Sequence, residues 1–443
     1  MIERKEYMDK KEDVHPSTPL MPLVANKKGE IFELPDFGAA AAQGRKKVLL
    51  TRNETIDMPY GSELMMLPGQ RPIVFDFDRN RFKTLYENPY APEQEIFPVA
   101  VFNSPGFVSL YSPAYERHTK QLLPLFSYGA AAWGAGGFRS AALCVDKERR
   151  QDLRLMPYEG IVQGIEKMRK KYPDNRLMRH IEKCALEYGC PAAKNFFLQR
   201  FEAPLPTAKA CNARCLGCIS LQTDSSLVSC QERISFTPSP HEIAELSLEH
   251  ISNVEKSVVS FGQGCEGDPL TAFHVIEPAL KIIRKKTDAG TINMNTNAGM
   301  TRHLEALFDA GLDGVRVSMN SVREPCYTAY FRPQTYEFKD VVQSIDTAGK
   351  KGKFVSINYL NIPGVTDSES EFNALVSFIE HHPVNMIQWR NLNYDPLAYV
   401  KVMEQADSPG SPLGMAHIIK TLKKKFPRLI HGYFNPPVKA NTR

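Results

Sequence analysis

The sequence has no apolar stretch approaching the ~18 residues that a membrane-crossing helix requires. The segment closest to one, Tyr128–Cys144 (YGAAAWGAGGFRSAALC), is broken by glycines and interrupted by Arg139. The opening residues, MIERKEYMDKKEDVHP, are charged and lack the apolar centre of an export signal. A cytoplasmic protein is therefore expected. Charge of one sign is also scarce: 55 Lys and Arg against 50 Asp and Glu leave +5. That excess is too slight to argue for nucleic acid or a membrane surface as partner. The basic runs Lys167–Lys171 and Lys420–Arg428 read as solvated helix faces. Internal repeats and low-complexity segments are missing. Nine cysteines, an odd number in 443 residues, do not suit a disulfide framework and read as free, catalytic or metal-bound thiols.

What is present is ordinary globular composition. Apolar residues make up 42% and charged residues 24%, which excludes a disordered or fibrous chain. The length allows two or three domains of ~150 residues, and 32 prolines with 27 glycines imply many loop boundaries. Residues 1–19 read as a charged, disordered leader. Residues 20–113 read as a small β-rich domain, with short apolar runs at Glu30–Leu34, Lys47–Arg52, Pro72–Phe77 and Pro98–Phe102. Leu67-Pro68-Gly69-Gln70 suits a hairpin turn between two of them. Residues 114–203 read as a helical accessory region, with helices at Gly160–Lys171 and Arg176–Tyr188 and Gly189 as the cap of the second.

From residue 204 to 395 strands and helices alternate. A first strand near Leu205–Lys209 is followed by a capping box at Ser239-Pro240-His241-Glu242 that opens a helix to about His250. Strands are predicted at Lys256–Phe261, Thr291–Asn297, Gly314–Asn320, Phe354–Leu360 and Asn385–Leu392. Helices are predicted at Ala272–Lys286, Arg302–Ala310, Phe338–Lys350 and Glu369–His381. Residues 396–443 read as a C-terminal helix, Met415–Lys424, and tail. Six such units call for an α/β fold with parallel strands, as a partial barrel or an open sheet. The strands carry polar residues at alternate positions: Asn293, Asn295 and Asn297; Arg316, Ser318 and Asn320; Ser356 and Asn358; Gln388 and Arg390. Such side chains are costly in a dry core. The agreement of four neighbouring strands favours a wet or ligand-filled cavity over a sheet with one solvated face.

The sharpest motif is Cys211-Asn212-Ala213-Arg214-Cys215-Leu216-Gly217-Cys218, directly after the first strand. Nine randomly placed cysteines would give this spacing in roughly 0.004 of such chains. Three thiolates on one loop can hold a soft metal centre and leave a position open, whereas a structural zinc site closes with four ligands. With this triplet the chain resembles the radical S-adenosylmethionine (radical SAM) superfamily over about residues 204–392. The resemblance implies a partial (β/α)6 TIM-like barrel. It also implies a [4Fe–4S] cluster on Cys211, Cys215 and Cys218, whose free iron is chelated by S-adenosyl-L-methionine. Reductive cleavage of that sulfonium to a 5′-deoxyadenosyl radical, which abstracts hydrogen from substrate, is the implied chemistry. The family often places an aromatic residue just before the third cysteine, where this chain has Gly217.

Ser260–Leu270 (SFGQGCEGDPL) is similar to the family's GGEP segment, which meets the methionine amino group. Gln263, Gly264, Glu266, Gly267 and Asp268 are thereby candidate cofactor-binding residues, with Glu266 or Asp268 at the acidic position. Asn297, Ser318 and Asn320 fall where family members contact ribose or carboxylate. Asn361–Asp367 falls at an adenine-flanking segment, and Gln388–Asn391 at the adenine or substrate. An electron donor such as flavodoxin or ferredoxin and a polar small-molecule or macromolecular substrate are the implied partners. Tyr327, Tyr330 and Arg332, in CYTAYFRP, are candidates for the cavity mouth, where an arginine suits a carboxylate or phosphate. Cys184, Cys190 and Cys230 are candidates for an auxiliary cluster or a redox thiol. Cys265 reads as near the cofactor, and Cys144 and Cys326 as buried apolar residues. The histidines read as surface residues. No cysteine follows Cys326, so the C-terminal cysteine-rich domain of peptide-modifying relatives is not expected, and neither is cobalamin, for want of a D-x-H-x-x-G signature. Two other readings remain: a non-enzymatic zinc-binding scaffold closed by Cys230, and a radical SAM enzyme acting on RNA.

Overall fold

The computed structural model describes residues 15, 17–222 and 227–439. The expected leader, residues 1–19, lies for the most part outside the described residues.

Two larger antiparallel sheets and a two-stranded one (Phe107–Ser109 with Ala142–Cys144) build the N-terminal part. Of the larger two, one contains Met21–Asn26, Ile96–Phe102 and the hairpin Gly129–Gly134/Gly137–Ser140; the other is centred on Phe37–Gln43 and Gln70–Asp76. Val24 and Ile96 of the first meet Val74 of the second in a small shared core with Leu34 and Leu85. Leu67–Gln70 does turn, with the Gln70 N–H reaching the Leu67 carbonyl. It is not a hairpin turn, because Glu63–Met66 pairs with Ile96–Phe102 while Gln70–Asp76 joins the other sheet. The strands also run on through Cys144, into the stretch expected to be helical. There the Ala-rich run folds back at Ala135-Gly136, both with positive φ, so that Trp133 pairs edge-on with Phe138. A two-residue turn of this kind sets a hairpin more strongly than alanine sets a helix.

Helices begin at α1 (Tyr158–Lys171) and continue in α2 (Arg176–Leu186) and α3 (Pro191–Phe197). Gly189 adopts φ +63° and the Cys190 N–H returns to the Cys184 carbonyl, closing the end of α2.

The rest is a parallel seven-stranded sheet curved as a half-barrel. Its strands lie in sequence order: β1 (Glu202–Pro204), β2 (Val258–Phe261), β3 (Thr291–Thr296), β4 (Gly314–Met319), β5 (Phe354–Asn361), β6 (Met386–Asn391) and β7 (Ile430–Gly432). The crossovers are α4 (Pro240–Asn253), α5 (Phe273–Lys286), α6 (Thr301–Asp309), α7 (Glu324–Phe331), α8 (Phe338–Lys350), α9 (Glu369–His381), α10 (Pro396–Ala406) and α11 (Met415–Lys425). The Ser239 capping box opens α4 as its sequence requires. The apolar faces of β3–β6, with Ile292, Val315, Val317, Ile357 and Trp389, are fully buried. β1 ends before Leu205 rather than beginning there. Pro206 has no N–H to offer a ladder, and the amides of Thr207 and Ala208 bind a carboxylate instead. The sequence reading also missed α7, α10 and the seventh strand.

Two tertiary features frame the site. The N-terminal sheets dock on the C-terminal ends of β5 and β6. The Tyr115 hydroxyl and the Leu123 N–H both donate to Asp395, and Asn391 exchanges hydrogen bonds with Ser109 and Phe107. Inside the half-barrel, the polar face expected to line an open cavity is partly filled by the chain's own tail. Asn435 Nδ2 donates to Glu202, and Asn435 Oδ1 accepts from Gln388. Gln388 in turn accepts from Arg316 at 3.1 Å. Arg390 stacks on Tyr433, 3.8 Å from its ring centre.

Candidate functional site

The cysteine triplet occupies the loop that leaves β1, and α7 fixes its shape. The Leu216 and Arg214 N–H groups donate to the Tyr330 and Phe331 carbonyls, and Ala213 bridges Pro333. Cys211, Cys215 and Cys218 are free and partly exposed. Burial pushes the Cys211 thiol up to about 11, with Asp268 and Cys218 adding to the shift. Burial, then Cys211 and Cys218, push Cys215 well above the usual thiol range. Cys218 faces donors: Arg233 Nη2 lies 3.5 Å from its sulfur and Ser220 Oγ 3.8 Å.

Gly217 has a packing reason. A Cβ there would stand 2.8 Å from the Asn393 carbonyl oxygen and 2.9 Å from Tyr330 Oη. Tyr330 thus occupies the space that an aromatic at 217 would need. Tyr327 and Tyr336 pair through their hydroxyls at 3.1 Å beside the same loop, both buried. Arg332, in contrast, is exposed at the left-handed end of α7.

The turn after β2 packs directly on the cysteine loop. The Gly267 N–H donates to the Ala208 carbonyl and the Asp268 N–H to that of Ala210. A Cβ on Gly267 would overlap the Ala210 carbonyl, so only glycine permits this approach. Glu266 is buried between the two loops. One carboxylate oxygen accepts the N–H groups of Thr207 and Ala208, the other those of Gly262 and Gln263, at 2.7–2.9 Å. Burial pushes this carboxyl up to about 7 while the four amides pull it down. Asp268 accepts from the Leu270 N–H, the Thr296 hydroxyl and the Asn297 N–H. Both carboxylates are therefore spent on the protein's own donors rather than turned toward a ligand. Their place in the candidate cofactor-binding turn is thus structural as well: they hold the segment whose backbone the resemblance turns toward the methionine amino group.

The other candidates divide. Gln263 is half-buried and donates to the Ser260 carbonyl; Gly264 is exposed at the tip of the turn. Asn297 donates to Asn212 Oδ1 at 2.6 Å, so it stands at the cysteine loop. Asn212 Nδ2 is buried with no partner among the described residues. Ser318 is partly exposed on β4. Asn320 donates instead to the Cys326 carbonyl and the Tyr399 hydroxyl, between α7 and α10. Asn361–Asp367 is a docking segment: Asn361 donates to the Ser109 carbonyl, and Gln43 Nε2 donates to Asp367 at 2.6 Å. Cys230 points its thiol at the Leu125 carbonyl, 3.2 Å away, and Cys326 is fully buried. Cys144 is only half-buried.

A cavity of about 1230 Å³ opens between the N-terminal sheets and the half-barrel. It runs from Ile219, next to Cys218, past Arg390 and Tyr433 to an apolar wall with Met66, Phe102 and Phe126. Sequence patterning could not find it, because its lining is gathered from segments as far apart as Met66, Ile219 and Tyr433.

Residues 205–376 match the sequence model of the family described as the Radical SAM superfamily. No curated protein matches the chain. Among solved structures it is similar to a radical SAM methyltransferase from Sphaerobacter thermophilus, at 12% identity over 46% of this chain and 62% of that one, with a TM-score of 0.35. SuiB of Streptococcus suis bound to S-adenosylmethionine is similar at 13% identity over 54% of this chain and 50% of that one, TM-score 0.37. The FeFe-hydrogenase maturase HydG from Carboxydothermus hydrogenoformans is similar at 14% identity over 56% of this chain and 69% of that one, TM-score 0.33. The chain thus spans less than two thirds of the length of the first two.

Proposed function

Residues 205–376 are a radical SAM domain, and from that premise we propose that the chain is a radical SAM enzyme whose Cys211, Cys215 and Cys218 hold a [4Fe–4S] cluster. Gln263, Gly264, Gly267, Asn297 and Ser318 would receive S-adenosylmethionine beside it. When bound, cluster and cofactor supply reductive cleavage of a sulfonium and a 5′-deoxyadenosyl radical that takes hydrogen from substrate, with flavodoxin or ferredoxin as electron source. The donor set fits: three thiols leave one iron of a four-iron cluster without a protein ligand. The orphaned Asn212 amide beside the loop is a polar group in want of such a partner.

The chain's own residues do the positioning. Glu266 clamps the two loops together, and Asp268 ties the turn to the end of β3. The N-terminal sheets cover the mouth of the half-barrel and exclude water from the reacting atoms. The 1230 Å³ cavity suits a substrate with a polar group facing Arg390 and an apolar part against Met66, Phe102 and Phe126. The scaffold reading, with Cys230 as a fourth thiolate, has no support, because that thiol is engaged with the Leu125 carbonyl.

One observation carries the proposal: three cysteines presented by one loop, against which a glycine-rich turn packs backbone to backbone. The test is Cys215→Ala in anaerobically reconstituted protein. The wild type should be brown, bleach with dithionite and release 5′-deoxyadenosine from S-adenosylmethionine. The variant should lose the colour and the nucleoside together. A colourless wild type carrying one zinc at the triplet would sink the reading.

A further inference from the structure

Away from the triplet, three residues that sequence reading kept apart come together. His180 and Cys184 are four residues apart on α2 and so share a face. Cys265 comes from the turn after β2. The ligand atoms of these three side chains all lie within 4.8 Å of one another, with His180 Nε2 3.6 Å from Cys184 Sγ. Cys184 and Cys265 are both buried, while His180 is half-buried beneath the ring of Phe236. Cys190, the residue before α3, is folded back by its N–H bond to the Cys184 carbonyl.

We infer that His180, Cys184 and Cys265 form a second metal centre, for a single soft divalent cation of the zinc class. The spacing selects one ion over a cluster. Donors ~2.0–2.3 Å from a zinc ion stand roughly 3.5–3.8 Å apart at the corners of a tetrahedron. Sulfurs spread around four irons could not converge so closely. The donor set, one imidazole and two thiols, suits zinc and leaves a fourth position for water or another donor. Metal binding would displace the protons that remain on the thiols. Its structural effect would be a staple, fixing α2 and the start of α3 to the turn that carries Glu266 and Asp268.

The test uses the full chain with Cys211, Cys215 and Cys218 all replaced by alanine, so that its outcome does not depend on the proposed enzymatic reading. Incubated with zinc and desalted, this triple variant should retain about one equivalent per chain. With cobalt it should show thiolate-to-metal absorption. Adding Cys184→Ser or Cys265→Ser should lower affinity by about tenfold or more. His180→Gln should do the same, and because His180 is half-exposed the metal-free protein should melt as the parent does. The triple variant's failure to bind zinc or cobalt would overturn the site. So would a Cys184–Cys265 disulfide found by mass mapping of the zinc-saturated protein, or iron with acid-labile sulfide in place of a single ion.

Discussion

Glu266 shows how a single side chain can tie two loops of a site together. It sits among four backbone amides, two from the loop after β1 and two from the turn after β2. No other group nearby could replace these bonds, since the side chain is buried. Glu266→Ala should therefore strand several buried donors at ~1–3 kcal/mol each. The expected loss is on the order of 4 kcal/mol, read from urea denaturation of the metal-free protein. An unchanged midpoint would mean that the loops do not depend on this clamp. An acidic residue in a glycine-rich turn was legible from sequence; its use was not, because the amides it binds lie up to 59 residues away. His180 and Cys265 were hidden for a similar reason. Each looked isolated until α2 and the turn were brought side by side.

At the scale of elements, the segment from Asn361 to Asp367 joins the two halves of the molecule. Gly364 adopts φ +91° and its Cα lies against the backbone of Gly44, whose N–H donates to the Pro363 carbonyl. A Cβ at 364 would overlap the Gly44 nitrogen, in a backbone conformation already strained for an L residue. Gly364→Ala should cost about 2 kcal/mol or more and loosen the sheets from the half-barrel. Limited proteolysis should then cut between them sooner than in the wild type, whereas Gly137→Ala, at a glycine with nothing near it and no positive φ, should leave the cleavage pattern unchanged. The strand and helix positions of the half-barrel were mostly legible because period and capping are local. The Ser239 box and the polar alternation of β3–β6 are examples. α7 escaped notice because it is only eight residues long, and apolar Pro325 and Ala329 on its outer face blur the stripe that Cys326, Tyr327, Tyr330 and Phe331 bury.

For the whole molecule, burial of neutral histidine gives stability a pH dependence. Burial draws His250 down to about 4 although Glu202 and Glu249 act in the other direction; its Nε2 donates to the Phe201 carbonyl at 3.2 Å. Burial draws His431 down to about 4 as well. A folded-state value below the unfolded one means that stability is complete above pH ~6.5 and is lost as pH falls toward 4. At ~1.4 kcal/mol per unit, His250 alone accounts for roughly 3 kcal/mol across that window. Because Glu266, pushed up to about 7, acts in the opposite direction, the His250 contribution is read by difference: the stability gap between wild type and His250→Leu should shrink as pH falls from ~6.5 toward 4. An equally steep profile in the variant would assign the acid sensitivity to other groups.

The sequence by itself determined the alternation of parallel strands with helices, though not the curvature of the sheet, and the one loop with three cysteines, because both rest on spacings of a few residues that any folded form must respect. Tertiary structure alone decided which polar groups remain free. The tail residue Asn435 consumes much of the polar strand face, the N-terminal sheets consume Asn361 and Asp367, and backbone amides consume Glu266 and Asp268. Whether a buried polar side chain serves a ligand or the fold depends on the partners that reach it, and here those partners arrive from distant parts of the chain.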